Sequence, residues 1–464
     1  MVSAGSAVLA VALLAACGEH SQLRVNSDVG PTPQLVQPVR TLIPTVNIAP
    51  AVRWPEGQTP VTAAGMRVTA FAAGLDHPRW LYVLPNGDVL VAETNAPPRA
   101  EDATGIKGWV MKLVMKRAGA GVPSANRITL LRDADGDGKP EVRTVFLSGL
   151  NSPFGMALVG ERFYVANTDA VLEFNYTAGD TQLNGPGRQL AALPAGPINH
   201  HWTKGLVASP DGTKLYATVG SNSNVAENGI PAEEGRAAIW EIDRASGSMR
   251  LYAGGLRNPV GMAWMPAAGT AAAGSAPAGS ASGNAASASP APTLWTVVNE
   301  RDEIGSDLVP DYLTSVRDGG FYGWPYSWYG THVDERVQPR NPERVAQALV
   351  PDYALGAHVA ALGLAASDNS ALAGKLSGAN TSATTGVFIG LHGSWNRRPL
   401  AGYKVIYVPF VAGMPNGLPV DVLTGFVSPQ GDAWGRPVGV ALDRSGALLV
   451  ADDVGNVVWR VTPR

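Results

Sequence analysis

Residues 149–157 read GLNSPFGMA, and residues 162–167 read RFYVAN. The first string leads from a Gly-Leu pair through a proline into an apolar strand, and the second is another apolar strand after a short turn. A similar order recurs at residues 74–92, 205–220, 255–298 and 435–451. Several of the turns contain Asn-Gly or Asp-Gly, which supply the positive φ angles that tight hairpins require. The chain is therefore predicted to consist of repeated β-hairpins.

Repeated hairpins of this kind are typical of the inner strands of β-propeller blades. Such strands are buried on both faces, which explains apolar runs that are nearly continuous. The 54 glycines, the 36 prolines and a charged fraction of only 16% also favour strands and turns over helices. We therefore predict an all-β propeller. The alternative, a sandwich or barrel of unrelated hairpins, does not account for the recurring entry string.

The N-terminal residues carry a pattern of export. Residues 7–16 are apolar, end in small residues and precede Cys17, the single cysteine of the chain. This run is too short for a transmembrane helix and is typical of a signal-peptide core, and residues 14–17 resemble a bacterial lipobox. We predict that residues 1–17 are a lipoprotein signal peptide and that Cys17 carries a lipid anchor. The alternative is a buried apolar segment with an inert cysteine.

The predicted location is therefore periplasmic or at the cell surface, with membrane contact only through the anchor on Cys17. Residues 18–60 are polar and rich in proline, which predicts a flexible tether. Residues 61–464 form the propeller. An Ala/Gly/Ser/Pro segment at about 267–292 cannot bury enough apolar surface to order itself, so we predict a disordered insertion within one blade.

Charge and motifs exclude two classes of function. The formal net charge is −3, so a nucleic-acid partner has no electrostatic support. No Gly-x-Gly-x-x-Gly string follows a strand and opens a helix, so a nicotinamide cofactor is not expected.

Four longer strings point to a family. They are GLRNP at 255–259, NERDEIG at 299–305, DGGFYGWP at 318–325 and HGSWNR at 392–397. In this order, over residues 66–464, they resemble the soluble dehydrogenases for aldoses and glucose that use pyrroloquinoline quinone, in particular the sorbosone-dehydrogenase-like branch. The resemblance implies a six-bladed propeller with the quinone over its central channel and a calcium ion that bridges quinone and protein. It also implies oxidation of a sugar or related alcohol, with electrons passed to a quinone or cytochrome.

The resemblance also implies roles for particular residues. His201, rather than His200, takes the position of the base that removes the hydroxyl proton, a role that suits the pKa of histidine. The aspartate that orients this base in the glucose enzymes is missing, and Ser221 or a neighbour takes its place. The quinone carries three carboxylates, which predicts cationic and polar partners. The predicted cofactor-binding residues are Arg257, Asn258, Arg397, Arg436 and Lys204.

Two calcium sites are considered. By the resemblance, the backbone carbonyls of Arg301 and Asp302 hold the calcium beside the quinone. A second candidate is the first half of an EF-hand-like loop, with oxygen ligands from Asp133, Asp135 and Asp137 and with Glu141 as a substitute closing ligand. The alternative for this loop is an ordinary hairpin turn.

Two other functions remain open at this stage. A calcium-dependent propeller lactonase or esterase needs carboxylates and amides that converge on a central ion, and Glu93, Asn167 and Asn299 are candidates. A non-catalytic propeller that binds a surface partner would not need His201, Arg257 and Arg436 together. The set of arginines suited to a polyanionic cofactor favours the dehydrogenase.

Overall fold

Six antiparallel sheets, each with four blade strands, form a six-bladed β-propeller, as the sequence predicts. The structure is a computed structural model that describes residues 19–41, 45–98, 117–266, 291–367, 370–376 and 385–464. The strands of each blade are given below from the innermost to the outermost. Blade 1 is Pro78–Val83, Val89–Glu93, Arg127–Arg132 and Val142–Leu147; blade 2 is Met156–Val159, Arg162–Ala166, Ala170–Asn175 and Arg188–Ala192; blade 3 is Leu206–Ala208, Lys214–Val219, Ala238–Asp243 and Met249–Gly254.

The second half of the ring follows the same plan. Blade 4 is Asn258–Met265, Thr293–Asn299, Pro310–Ser315 and Tyr353–Ala357; blade 5 is Ala361–Ala366, Thr385–Leu391, Lys404–Val411 and Val420–Thr424; blade 6 is Pro437–Leu442, Leu448–Asp452, Val457–Pro463 and Met66–Ala73. Short strands at Val29–Gly30, Val61–Thr62, Gly320–Phe321 and Met414–Pro415 extend blades 4, 5, 3 and 5, and Ser327–Trp328 pairs with His332–Val333. The short helices are Pro342–Ala346, Ala371–Leu376 and the 3-10 turn Ile230–Glu233.

The ring closes through blade 6, which takes its outer strand from the N-terminal part of the chain and its other strands from the C-terminal part. Met66 pairs with Pro463 in this blade. The inner strand of each blade contacts the inner strand of the next, all the way round the ring. Apolar side chains between the blades form the core, with Phe154, Phe163 and Leu90 among those that are fully buried.

The recurring glycines of the inner strands have a packing role. A Cβ atom at Gly205 would overlap the backbone carbonyl of Val260 in blade 4, and one at Gly363 would overlap that of Val438 in blade 6. Only glycine permits the inner strands to approach so closely. The repeated Gly that marks these strings in the sequence therefore sets the narrow spacing round the central channel.

Residues 19–41 and 45–60 lie against the propeller, which corrects the prediction of a flexible tether. Asp28 accepts hydrogen bonds from the backbone N–H of Ala357 and the guanidinium of Arg397, both at 3.0 Å. Val29 pairs with Leu355 at the outer edge of blade 4. Composition alone misses this because a few specific polar contacts and one strand pairing order a segment that has little apolar surface of its own.

Some predictions lie outside the described residues. They are the signal peptide with Cys17 and residues 267–290 of the low-complexity insertion. Over the described parts of the chain, no helix is long and apolar enough to cross a membrane.

Candidate functional site

Polar and charged side chains gather at one end of the propeller. Successive strands run antiparallel, so the loops before the first strand and after the second strand of every blade lie at the same end, which we call the upper face. The buried polar residues in and next to these loops include His77, Glu93, Lys204, Ser221, Arg257, Asn258, Glu300, Arg301, His358, Asn396, Arg436, Asp452 and Asp453.

His201 is oriented by the loop that follows the second strand of blade 3. Its Nδ1 atom lies 2.8 Å from the backbone carbonyl oxygen of Ser221 and 3.0 Å from the Oγ atom of the same residue. The Ser221 hydroxyl donates its hydrogen to the carbonyl of Ser223 at 2.7 Å, so it presents only an acceptor to His201. Both contacts therefore require a hydrogen on Nδ1, which leaves the Nε2 lone pair available.

The charge state of His201 follows from its surroundings. Burial, and then the nearby guanidinium of Arg257, hold the pKa of His201 well below its ordinary value. A side chain at Gly220 would overlap the Cβ atom of His201 and the Oδ1 atom of Asn258. Glycine at this position thus allows the imidazole to lie against the end of the strand as a neutral base.

Arg257 joins the loops of blades 3 and 4. Its guanidinium donates to the Glu300 carbonyl at 2.6 Å, to the Asp302 carboxylate at 3.1 Å, and to the backbone carbonyl and side-chain oxygen of Asn224 at 3.2 and 3.1 Å. The side chain is 5% exposed, so most of its hydrogen-bonding capacity is used inside the protein. The sequence-predicted pair Arg257 and Asn258 thus lies beside His201.

Asp302 connects Arg257 to blade 5. Its carboxylate accepts a hydrogen bond from Asn396 Nδ2 at 2.7 Å and lies 3.4 Å from His358 Nδ1. Burial alone would raise the pKa of Asp302, but Arg257, His358 and Asn396 together lower it below the usual range. The contact with Asp302 in turn raises the pKa of His358 above its ordinary value, although the burial of His358 acts in the opposite direction.

A second charged cluster is centred on Asp453. The Arg79 guanidinium donates to its carboxylate at 2.6 Å, His392 Nε2 lies 2.9 Å away and His77 Nε2 lies 3.5 Å away. Burial would raise the pKa of Asp453, but the two imidazoles and Arg79 lower it below the usual range. Burial lowers the pKa of His77 to about 4, so this imidazole is neutral at neutral pH.

Arg436 lies in the loop before blade 6 and is 4% exposed. Its Nη2 donates weakly to the Ala49 carbonyl at 3.4 Å, and the guanidinium carbon lies 4.9 Å from the centre of the Tyr403 ring. Among the residues that the structure describes, it has no carboxylate within ion-pair distance, and its Nε atom has no hydrogen-bond partner. A buried guanidinium in this state is suited to an anionic ligand.

Lys204 is also buried, with 0% exposure. Its ammonium group lies 3.3 to 3.5 Å from the carbonyls of His201 and Trp202 and from Asn199 Oδ1, and it has no ion pair within the described ranges. Burial, reinforced by the Arg236 guanidinium, lowers the pKa of Lys204 to about 7. Lys204 and Arg436 are thus two buried cationic groups on the upper face without an acidic partner.

Arg397 lies apart from this set. Its guanidinium pairs with Asp28 at 3.0 Å and with Asp307 at 3.2 Å, and it also donates to Ser21 Oγ at 3.2 Å. The structure therefore uses Arg397 to hold the N-terminal segment. Its neighbour Asn396, which the sequence analysis did not single out, is the residue that reaches Asp302.

The resemblance implies a quinone and a calcium ion at the upper face, and the contacts above fit these two groups to different degrees. Arg436 fits a polyanionic quinone, because a carboxylate would supply an acceptor for its unpartnered Nε atom. Lys204 already donates to three protein oxygens, and a quinone carboxylate would supply the counter-charge that it lacks. The carbonyl of Asp302 instead accepts a hydrogen bond from Asn224 Nδ2 at 3.2 Å, and the Arg257 guanidinium lies on the adjacent Glu300 carbonyl. Of the two predicted calcium ligands, the carbonyls of Arg301 and Asp302, that of Asp302 as placed is used by Asn224 and does not fit calcium.

The second calcium candidate lies at the opposite end of blade 1, in the turn between Arg127–Arg132 and Val142–Leu147. Carboxylate oxygens of Asp133, Asp135, Asp137 and Glu141 all lie within 4.8 Å of one another. The same carboxylates also accept backbone hydrogen bonds, for example from Gly136 and Gly138 to Asp133. The geometry is equally that of an Asp-rich hairpin turn, so calcium at this turn stays a prediction from the sequence.

The carboxylate of Glu93, the acidic candidate for a lactonase centre, is bound by other groups of the protein. It binds the Arg127 guanidinium at 2.8 Å and also accepts hydrogen bonds from Thr129 and from the backbone of Asp76. The contacts of Glu93 therefore give a lactonase centre at this residue no support.

Sequence reasoning missed several residues of the site: Glu300, His358, Asn396, His77, Arg79, His392 and Asp453. A signal for part of this set was present. In several blades the second, apolar strand ends in a run of polar residues, such as 93–95, 221–224 and 452–453. Aligning the hairpins by these ends would have placed Glu300 and Asp453 on the upper face.

Two family models and one relative match parts of this chain. A family model described as TrAA12-like matches residues 331–464, and a domain of unknown function (DUF7133) matches residues 62–273. An uncharacterized protein of Borreliella burgdorferi is 24% identical over 274 residues, which cover 58% of this chain. The present chain spans 63% of the length of that relative.

Solved structures extend the comparison over nearly the whole propeller. A Trichoderma reesei protein of the carbohydrate-active family AA12 is 18% identical, covering 90% of this chain and 99% of its own, with a TM-score of 0.64. The PQQ domain of pyranose dehydrogenase from Coprinopsis cinerea is 19% identical, with coverages of 90% and 100% and a TM-score of 0.63. The soluble aldose sugar dehydrogenase of Escherichia coli is 16% identical, with coverages of 86% and 100% and a TM-score of 0.52. At these identities, the likeness shows the fold.

Proposed function

We propose that this protein is a quinoprotein oxidoreductase that oxidises a sugar or related alcohol with pyrroloquinoline quinone bound at the upper face. The observation that carries the proposal is the state of His201, a neutral imidazole with its Nδ1 hydrogen held by Ser221 and its Nε2 lone pair available. Two buried cationic groups without acidic partners, Lys204 and Arg436, support an anionic cofactor nearby.

Oxidation of an alcohol removes a proton from its hydroxyl group and a hydride from the carbon atom that carries this group. His201 Nε2 accepts the proton of the substrate hydroxyl, while its Nδ1–H continues to donate a hydrogen bond to the Ser221 carbonyl. The carbon–hydrogen bond of the same carbinol breaks with both of its electrons, and the product is a carbonyl or lactone. A bound quinone would supply the two-electron acceptor for that hydride. Burial, and then the charge of Arg257, lower the pKa of His201 and so favour its unprotonated form between turnovers.

Two finer assignments rest on the sequence strings alone. A sorbosone-like substrate is proposed from residues 255–259 and 299–305, and a quinone or cytochrome is proposed as the electron acceptor. The similarity to the pyranose and aldose sugar dehydrogenases supports a sugar or a related alcohol as the substrate class.

The proposal is tested with the purified chain, pyrroloquinoline quinone and calcium, by following dye reduction across aldoses, sorbosone and simple alcohols. His201→Ala should lower turnover about 100-fold to 10,000-fold, the usual contribution of a general base. His332→Ala is the matched control, because His332 is an exposed histidine whose ring stacks on Trp328. Turnover that needs no quinone, or that survives in His201→Ala, would contradict the proposal, and lactone hydrolysis would then be assayed.

A further inference from the structure

A cavity of about 310 Å³ lies where the N-terminal segment crosses the upper face. One wall comes from that segment, including Glu19, Val39 and Thr45, and the other comes from the loops that follow the second strands of blades 4 and 5, including Glu303, Trp395 and Asn396. Its volume lies at the lower end of the range of about 300 to 1,000 Å³ that is usual for small-molecule sites.

Specific contacts hold the two walls together. The Glu19 carboxylate accepts a hydrogen bond from the Ser306 backbone at 3.2 Å, and the Glu19 backbone donates to Thr45 Oγ1 at 3.1 Å. The Val39 N–H donates to the Ile304 carbonyl at 2.9 Å. The Asn47 N–H donates to the carbonyl of Trp395 at 2.7 Å and so fixes the loop that carries this indole. The cavity is therefore a built feature of the folded chain.

The lining is polar but balanced in charge. Two acidic residues, Glu19 and Glu303, and two basic residues, Arg40 and Arg336, line it, and Arg336 pairs with Glu303 at 2.7 Å. Such a balance favours a neutral ligand over an anion or a cation. Carboxylates and guanidinium groups together provide the acceptors and donors that a set of ligand hydroxyls requires.

Trp395 supplies the apolar surface of the same cavity. Its side chain is 40% exposed, although large aromatic side chains are usually mostly buried. An indole offers a flat apolar face, which suits the C–H face of a sugar ring, while the ring hydroxyls point to polar neighbours. Asn396, the next residue, also lines the cavity and donates to Asp302, the partner of Arg257. The cavity thus adjoins the charged cluster beside His201.

We infer that this cavity binds one neutral monosaccharide, with its ring against Trp395, and that the N-terminal segment supplies part of the specificity through Glu19. The inference rests on the proposed function for its role in catalysis, but the binding itself requires no quinone. Glu19 is placed as a contact for the sugar hydroxyls, and Trp395 as the stacking surface. The segment predicted to be a tether would therefore select the substrate.

The test is titration calorimetry of the quinone-free full chain with neutral aldohexoses and aldopentoses, and with glucuronate and glucosamine as charged analogues. We expect at least one neutral sugar to bind more tightly than both charged analogues. Trp395→Ala should weaken that binding about tenfold, equivalent to about 1.4 kcal/mol. Glu19→Gln, which keeps the shape but removes the charge, should weaken it by about fivefold, because hydrogen bonds to charged groups are the stronger ones.

Leu418→Ala is the control, since Leu418 is 53% exposed and does not line the cavity. Thermal unfolding of each variant shows whether the fold is retained. Failure of all neutral sugars to bind, preference for a charged analogue, or unchanged binding in folded Trp395→Ala would each overturn the inference. Sugar binding that depends on Trp395 in a protein that never turns over with quinone would uphold the cavity and refute the proposed function. Quinone-dependent turnover with an unchanged KM in Trp395→Ala would uphold the proposed function and refute the cavity as the sugar site.

Discussion

The Nδ1 atom of His201 lies 2.8 Å from the backbone carbonyl oxygen of Ser221. A backbone group therefore orients the candidate base, in a position where the glucose enzymes that the sequence resembles use an aspartate side chain. The serine hydroxyl is a second acceptor at 3.0 Å.

The first prediction separates these two acceptors. Ser221→Ala removes the hydroxyl and keeps the carbonyl, so it should reduce kcat by no more than about tenfold, in line with the loss of one neutral hydrogen bond. His201→Ala should cost about 100-fold or more. Steady-state kinetics of both variants with one substrate measure the difference. A Ser221→Ala protein as impaired as His201→Ala would show that the hydroxyl, and not the carbonyl, orients the base.

The second prediction concerns Arg436. Because this buried guanidinium has no carboxylate partner among the described residues, a carboxylate of the quinone should pair with it. Arg436→Gln should then weaken quinone binding about tenfold to 100-fold, the usual range for a charge-assisted hydrogen bond. Calorimetric titration with pyrroloquinoline quinone measures this without any turnover.

Arg143→Gln provides the matched control for that experiment. Arg143 also binds only backbone carbonyls, those of Ala73 and Gly74, but it is exposed on the outer strand of blade 1. Its substitution should leave quinone affinity unchanged. Equal affinity in the wild type and in Arg436→Gln would remove Arg436 from the cofactor site.

The sequence predicts the propeller because its signals are local. The Asn86-Gly87 turn and the glycines of the inner strands are each recognisable within about ten residues, and each lies where the hairpin pattern places it. The closure of blade 6 is different, since Met66 and Pro463 pair across almost the whole chain and neither strand indicates its partner. The same holds for the N-terminal segment, where Asp28 finds Arg397 through a contact that no composition reveals.

The sequence likewise predicts some residues of the site and misses others. Short sequence strings are enough to recognise His201 and the tripeptide from Arg257 to Pro259. The structure brings Arg257 and Asn258 beside His201. Asn396 and Asp302 meet across 94 positions in the sequence, through loops of different blades. Arg397 was predicted for the cofactor on its neighbours in sequence, but its actual neighbours in space are Asp28 and Asp307. Contacts between blades require the fold, which short strings do not encode.

The third prediction uses the lowered pKa of Lys204. Its folded value of about 7 lies below the ordinary value of about 10.4, so the unfolded chain binds more protons between these limits. The free energy of unfolding of the quinone-free protein should therefore receive a contribution that rises from pH 7 to about pH 10. Lys204→Met should remove it. Urea denaturation across this range tests the difference between the two proteins.

Quinone binding should reverse the shift of Lys204, because an anion beside the ammonium group raises its pKa. The wild type should then take up protons as quinone binds near pH 8, and Lys204→Met should take up fewer. Calorimetry in two buffers with different ionisation enthalpies measures the number of protons. Equal uptake by both proteins would place Lys204 away from the quinone.

The fourth prediction concerns acid stability and the cluster round Asp453. The pKa of His77 is about 4 in the folded protein and about 6.5 when unfolded, because burial opposes its charge. The unfolded chain thus binds more protons between these values, so stability that is present above pH 6.5 is lost as the pH falls towards 4, by at most about 3 kcal/mol. Glutamine does not titrate, so His77→Gln should lose correspondingly less stability over this range. His332→Gln is the control and should behave as the wild type, because His332 is exposed. Comparing the urea midpoints of the three proteins at pH 7 and at pH 4.5 isolates this contribution from that of other groups. If His77→Gln lost as much stability on acidification as the wild type, His77 would already be protonated in the folded cluster, and burial would not be what controls its charge.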